Sequence, residues 1–290
     1  MTRRDALIHG GLFVACCVTT TWVGGIAFGA TLMVILTCHE LGHYVVGRRH
    51  GVEVSLPYFI PLPPPTLGTL GAVIRMGKPI EDRGKLFDVG AAGPIAGLVV
   101  AIPLLVIGLY LSDLAPVKPG DNLEGNSILY ALLKYAVFGR WLPGDGIDVQ
   151  LHPMALAGWV GLLVTMINLM PIGQLDGGHI AKSALGDSHE RWSARLHVAL
   201  PVIGIVVGAV MLVSARSAGR DWSEAIRYAG TGLTPWMVWT VLLGWMRRQA
   251  GEYHPAVGDA PLDPMRKKLA FAMLVIFLLI ATPVPFRPVL

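Results

Sequence analysis

Five consecutive residues, His39-Glu40-Leu41-Gly42-His43, carry the side chains in this chain best suited to chemistry. On a helix the two imidazoles lie four residues apart, on one face and one turn from each other. That spacing lets His39 and His43 hold one metal ion, with Glu40 beside them to take a proton from a water on the metal. The pattern is short and recurs by chance in unrelated chains, so its setting decides its weight. It sits in an apolar run from Ala30 to Gly47. Ionisable side chains inside a membrane-spanning segment are costly and functional by default.

The elements that must position these residues are apolar. The 290 residues are 14% charged and 53% hydrophobic, with a mean hydropathy of +0.59. Soluble domains carry about 25% charged residues, and several stretches here approach the roughly 20 apolar residues needed to cross a bilayer. The expected fold is an all-α polytopic membrane protein of about six to seven transmembrane helices. The net charge of +4 does not imply nucleic acid, because the basic residues cluster in loops as the positive-inside rule requires. Cys16, Cys17 and Cys38 all fall in apolar runs and read as small buried side chains, not as a disulfide framework. The first apolar run lacks a convincing cleavage site and opens a multi-spanning chain, so no cleavable signal peptide is expected.

The expected spans run from about Ala6 to Ile26, Ala27 to Gly47, Leu86 to Leu111, Pro153 to Met170, Leu196 to Ser214, Thr231 to Met246 and Leu269 to Pro285. Arg3 and Arg4 before the first span, and Arg48 and Arg49 after the second, put both ends on the cytoplasmic side. His39 then lies roughly 14 Å inside the cytoplasmic end, at 1.5 Å per residue. Between the second and third spans, Val52–Ile60 and Leu67–Met76 read as extended chain around Pro61, Pro63, Pro64 and Pro65, which forbid regular helix. A hairpin or small sheet dipping into the protein is expected there, since irregular backbone at membrane depth must be covered by protein or line a wet cavity. Gly90, Gly93 and Gly97 read as helix packing. Residues 112–150 carry an acidic excess, are expected outside, and include an interfacial amphipathic helix from Ser127 to Phe138. Arg216, Arg220 and Arg227, in the loop expected from Ala215 to Gly230, run against the positive-inside rule in this topology.

A hydrolytic zinc site usually has three protein ligands and an open position. Asp176 is a candidate for the third, because it follows a span returning to the cytoplasmic side and has flexible neighbours in Gly173, Gly177 and Gly178. Spacing alone leaves it equally open to be an ordinary loop carboxylate. Asn168, Pro171, Asp176 and Gly177 add a second pattern. Together with His39-Glu40-Leu41-Gly42-His43, it resembles the two signatures of the intramembrane site-2 proteases, HExxH on a membrane helix and a later Asn-x-x-Pro-x-x-x-x-Asp-Gly. The resemblance covers about Ala27 to His179, and the stretch from Gly51 to Met76 is similar to the bacterial branch. PDZ-like and nucleotide-sensing modules have no counterpart in the sequence.

This resemblance implies one Zn2+ per chain, held by His39, His43 and Asp176, with Glu40 as the catalytic base and Asn168 holding substrate backbone or the developing oxyanion. It implies an intramembrane zinc endopeptidase that cuts transmembrane protein substrates, with no nucleic-acid partner, as a multi-pass protein of a bacterial cell membrane whose site lies nearer the cytoplasm. The whole chain, 1–290, then forms one membrane peptidase domain, with a catalytic core over 27–179 and additional spans over 180–290. Two other readings stand beside it: a metal transporter or sensor, and a catalytically silent partner of membrane proteins. The presence of Glu40 next to a single ligand cluster favours the hydrolase. His179 reads as an interfacial residue or a partner of the site. His50, His152, His189, His197 and His254 show no ligand spacing.

Overall fold

The structure is a computed structural model that describes residues 3–64 and 66–289; Met1, Thr2, Pro65 and Leu290 lie outside it, so the basic start and one loop proline read from the sequence fall partly outside the described residues. The chain is mostly helical. Helix α1 (Arg3–Arg49) carries the His-Glu-x-x-His motif near its end. A straight helix of that length would reach about 70 Å, more than twice the roughly 30 Å hydrocarbon core. Gly25 resolves the mismatch. Its φ of 79° and ψ of 175° break the helix in a region open essentially to glycine. The halves fold back on one another, because a Cβ on Gly29 would stand 2.8 Å from the Thr21 backbone nitrogen. The first two expected spans are therefore the arms of one helical hairpin.

Strands β1 (Tyr58–Pro61) and β2 (Thr69–Val73) form the expected hairpin, antiparallel, with Tyr58 opposite Val73 and a bulge between Phe59 and Pro61. It runs alongside the first arm of α1. His9 Nδ1 donates to the Pro57 carbonyl at 2.9 Å, Thr19 Oγ1 donates to the Gly68 carbonyl at 2.5 Å, and Phe13 meets Phe59 edge-on. The hairpin tip thus lies beside the interior of a membrane helix, and side-chain hydroxyls satisfy its backbone there.

Helix α2 (Arg83–Tyr110) packs on the motif-bearing arm, and α4 (Pro153–Asn168) packs on both. Phe28, Leu32, Leu36, Leu98, Leu105, Trp159 and Leu162 are buried between these elements. Pro171 and the turn at 169–175 end α4, and a short helix α5 (Asp176–Leu185) follows. The glycines of this segment suggest flexible chain. Its two glycines are instead the first turn of a helix: a Cβ on Gly177 would overlap the Leu169 carbonyl, and one on Gly178 the Gly173 carbonyl. Helices α6 (Ser188–Ser217) and α7 (Trp222–Ala250) pair along their length, and α8 (Pro264–Ile280) closes the bundle. The loop expected from Ala215 to Gly230 shrinks to the turn 218–221, because both helices run past their apolar stretches through Arg216 and Arg227.

Among the described residues, three helices are long and apolar enough to cross a membrane: Arg4–Arg49, Arg83–Tyr110 and Ser188–Ser217. The count of six to seven is not met by length and composition, since α4 and α8 have only 16 and 17 residues. The fold is also not purely helical with a single hairpin. Strand β3 (Asp113–Pro116) pairs with β5 (Ile147–Gln150), and β4 (Asn122–Glu124) pairs with β6 (Phe286–Pro288) near the carboxyl terminus. They pack around α3 (Ile128–Phe138), whose Lys134 is buried with Asp148 at 3.1 Å and Glu124 at 3.5 Å. Burial raises the Glu124 carboxyl above its ordinary pKa, and Lys134 opposes that rise. At the other end, Asp88 of α2 takes two bonds from Arg266 of α8, at 2.7 and 2.6 Å, and one from His50 at 2.9 Å. This ties together the helix ends next to the motif.

Gly25→Ala places a side chain where only glycine is at ease. It is expected to cost about 1–3 kcal/mol, read as a lower unfolding midpoint of the detergent-solubilised protein.

Candidate metal centre

The fold brings His39, His43 and Asp176 to one point, although Asp176 lies 137 residues after His39 in sequence. His39 Nε2 lies 3.1 Å from Asp176 Oδ2, His43 Nε2 lies 3.3 Å from the same oxygen, and the two Nε2 atoms are 3.2 Å apart. His39 and His43 are buried, and the Asp176 side chain is 15% exposed. Asp176 is thus the least enclosed of the three.

Local helix geometry explains each placement. His39 and His43 project from consecutive turns of α1 toward α2. There the glycines of α2 make room for them. A Cβ on Gly97 would stand 3.1 Å from His39 Nδ1, and one on Gly93 would overlap the His43 ring. Beyond the helix packing that their spacing implies, these glycines clear space for the imidazoles. His43 Nδ1 lies 2.7 Å from the Val89 carbonyl. A carbonyl only accepts, so Nδ1 carries the proton and Nε2 turns its lone pair toward His39 and Asp176. Asp176 opens α5, where its charge suits the helix amino end.

These residues fit a metal ion. Ligands held about 2.0–2.1 Å from a tetrahedral zinc lie about 3.3 Å from one another, and the three separations here are 3.1, 3.2 and 3.3 Å. Lone-pair atoms this close in a buried place call for a shared positive charge, and two imidazoles with one carboxylate are ligands that suit zinc.

The remaining candidates fall nearby. Asn168 ends α4 with its Nδ2 at 3.4 Å from His39 Nε2. Glu40 is buried beside His39 and makes no hydrogen bond among the described residues. Cys38 is part-buried and, like Cys16 and Cys17, is a free thiol. Sequence reasoning missed two partnerships. His50, placed in a loop without a role, bonds Asp88. His179 bonds His254, at 2.7 Å. No spacing signal links residues so far apart, and only the Asp176–Gly177–Gly178–His179 run hinted at His179.

Peptidase family M50 matches residues 27–213, more than half of the chain. The chain belongs to peptidase family M50. The matched region contains all three members of the cluster, and the intramembrane protease resemblance carried by the two motifs agrees with it. Among curated relatives, this M50 chain is 37% identical over 159 residues to the probable chloroplastic zinc metalloprotease EGY1 of Arabidopsis thaliana, covering 52% of this chain and 28% of that protein. It is 30% identical over 256 residues to the probable chloroplastic zinc metalloprotease EGY2 of the same plant, covering 87% of this chain and 40% of the relative. The M50 chain thus spans well under half the length of these relatives. No solved structure matches it. The relatives are named as chloroplast proteins, so the expectation of a bacterial cell membrane has no support from them; a membrane protein is what the apolar helices and the family support.

Gly93→Ala pushes a methyl into the His43 ring. Zinc affinity is expected to fall at least about tenfold, the scale of lost ligand orientation, while helical circular dichroism stays unchanged. A wild-type zinc affinity in that variant would contradict the packing role given to Gly93.

Proposed function

We propose that this chain is a zinc-dependent intramembrane endopeptidase that cleaves other membrane proteins within or near their spanning segments. The observation that carries the reading is the convergence of His39, His43 and Asp176 at tetrahedral ligand spacing, inside an apolar bundle, next to an uncommitted Glu40. His39, His43 and Asp176 would hold one Zn2+. When bound, zinc supplies Lewis acidity and lowers the pKa of water at the site toward about 7. Glu40 takes the proton from the attacking water and returns it to the leaving amine. Asn168 donates its amide N–H toward substrate backbone or the charge that develops on the scissile carbonyl oxygen. The exposed side of Asp176 gives water its route to the site.

Seven crossings are proposed, counting the two arms of α1, then α2, α4, α6, α7 and α8. Residues 27–179 then form the catalytic core and 180–290 its supporting spans, within one peptidase domain over 1–290. Arg48, Arg49, Arg83, Lys85, Arg247, Arg248, Lys267 and Lys268 all lie at the helix ends nearer the motif. The positive-inside rule therefore puts that end at the cytoplasmic face.

A scissile bond inside a helix is shielded, so the substrate must be extended at the site. We assign the exposed strand β2, with Leu70 65% and Val73 54% exposed, as the edge on which an unwound substrate adds a strand. Prolines placed along β2 are expected to abolish cleavage of a transmembrane substrate while zinc content holds. Undiminished cleavage would remove the strand-addition step.

Metal analysis of the detergent-purified chain tests the centre itself. About one zinc per chain is expected in the wild type and in Glu40→Gln, with little in Asp176→Ala, as three-ligand coordination requires. Cleavage is expected to drop about 10²- to 10⁴-fold in Glu40→Gln, the usual contribution of a general base. A folded wild type without zinc would sink the peptidase reading in favour of a silent binding partner.

A further inference from the structure

The segment 251–263 joins α7 to α8 and crosses the bundle as a strap tied down at both ends. At one end, the Tyr253 N–H donates to Glu190 Oε2 at 3.1 Å, and the Tyr253 hydroxyl meets His197 Nδ1 at 2.8 Å. At the other end, the Gly258 N–H donates to the Glu81 carbonyl at 2.8 Å, and Arg83 Nε donates to the Gly258 carbonyl at 2.9 Å. Residues 81 and 83 stand at the start of α2, so the strap spans from α2 to α6. Between these ties, His254 is 5% exposed and reaches α5.

Proton positions along this contact follow from the partners. His254 Nδ1 lies 2.8 Å from the Pro255 carbonyl, which only accepts, so the proton sits on Nδ1. Burial holds the His254 imidazole below its ordinary pKa, which favours the neutral ring. Its Nε2 is then an acceptor. His179 Nδ1, 2.7 Å away, must donate to it. The hydrogen bond therefore has a fixed direction, from α5 to the strap.

His179 is three residues after Asp176, on the next turn of a helix only ten residues long. That helix packs on α2 and buries Gly177, Gly178, Ile180 and Ser183, but, apart from the contacts of Asp176 itself, its one side-chain hydrogen bond to a distant segment among the described residues is that of His179. Its cap residue, Leu175, makes no side-chain capping bond, and its first turn contains Gly177 and Gly178, which offer no side chains. His39 and His43 ride on a long helix packed on α2 and α4.

We propose that His254 is a positioning residue for the metal centre: by accepting the His179 hydrogen bond, the strap holds α5 so that Asp176 stays in register with His39 and His43. The inference rests on the metal-centre reading above. It gives the carboxyl-terminal third of the chain a direct part in the site, although that part carries neither motif.

The test is zinc affinity of the full chain in detergent, measured by chelator competition. His254→Ala and His179→Ala are each expected to weaken zinc binding about 10- to 100-fold, the usual loss for a group that orients a ligand. The double variant should lose no more than either single, because both remove one hydrogen bond. His254→Gln, whose side-chain carbonyl offers an acceptor near the position of Nε2, should bind zinc close to the wild-type level. Wild-type affinity in His254→Ala, or fully additive losses in the double variant, would overturn the proposal. If His254→Ala does not fold, His254→Gln decides: near wild-type affinity upholds the role, and a loss of tenfold or more overturns it. A wild type that binds no zinc would instead defeat the metal-centre reading.

Discussion

Three lone-pair atoms facing one another at about 3.2 Å inside an apolar bundle are unstable by themselves. Two imidazoles and a carboxylate lose hydration there, and only a positive charge shared among them, a metal ion or a proton, offsets the loss. Such a cluster persists only where the surroundings over-determine it. Here they do so by removing freedom step by step. The break at Gly25 sets the motif-bearing arm against its partner, Gly93 and Gly97 let α2 close on the imidazoles, and Val89 locks the His43 tautomer. Each of these steps is a backbone or small-residue device, which leaves the polar side chains free for the metal.

The sequence made the chemistry more legible than the architecture. His39, Glu40 and His43 share one helix, so helical periodicity alone placed them, and the strands around Tyr58 and Leu70 announced themselves through proline and β-branched residues. Asp176 needed the second motif as well as spacing. What stayed hidden depends on distant contacts. The pairing of β4 with β6 joins residues 122–124 to 286–288, too short and too far apart for any local pattern. Helix α5 was hidden because its first turn contains two glycines, which read as breakers in isolation. They are tolerated because the Leu169–Gly173 carbonyls approach too closely for a Cβ. The ends of α6 and α7 were drawn too short because charged residues such as Arg216 and Arg227 lie within the helices, past the apolar stretch.

The two ends of the bundle are stabilised differently. Away from the motif, buried Lys134 with Glu124 and Asp148 joins α3, β4 and β5, and through β4 it engages the strand that ends the described chain. Near the motif, the Arg266–Asp88–His50 group lies in partial contact with solvent, where screening makes an ion pair worth little by itself. Its contribution is geometric. A bidentate guanidinium fixes the direction as well as the distance between α8 and α2.

The candidate metal centre therefore draws on two elements of different length. The histidines belong to the tightly packed arms of α1, α2 and α4, so moving them would disturb the main core. Asp176 belongs to a ten-residue helix held by its packing on α2, by two close-packed glycines and by the His179–His254 bond. A tetrahedral site tolerates displacements of only a few tenths of an ångström before a ligand is lost. Control over the carboxylate therefore falls on the shorter element. Any change that shifts α5, whether from α6, α8 or the segment between α7 and α8, acts on the carboxylate before it acts on the imidazoles.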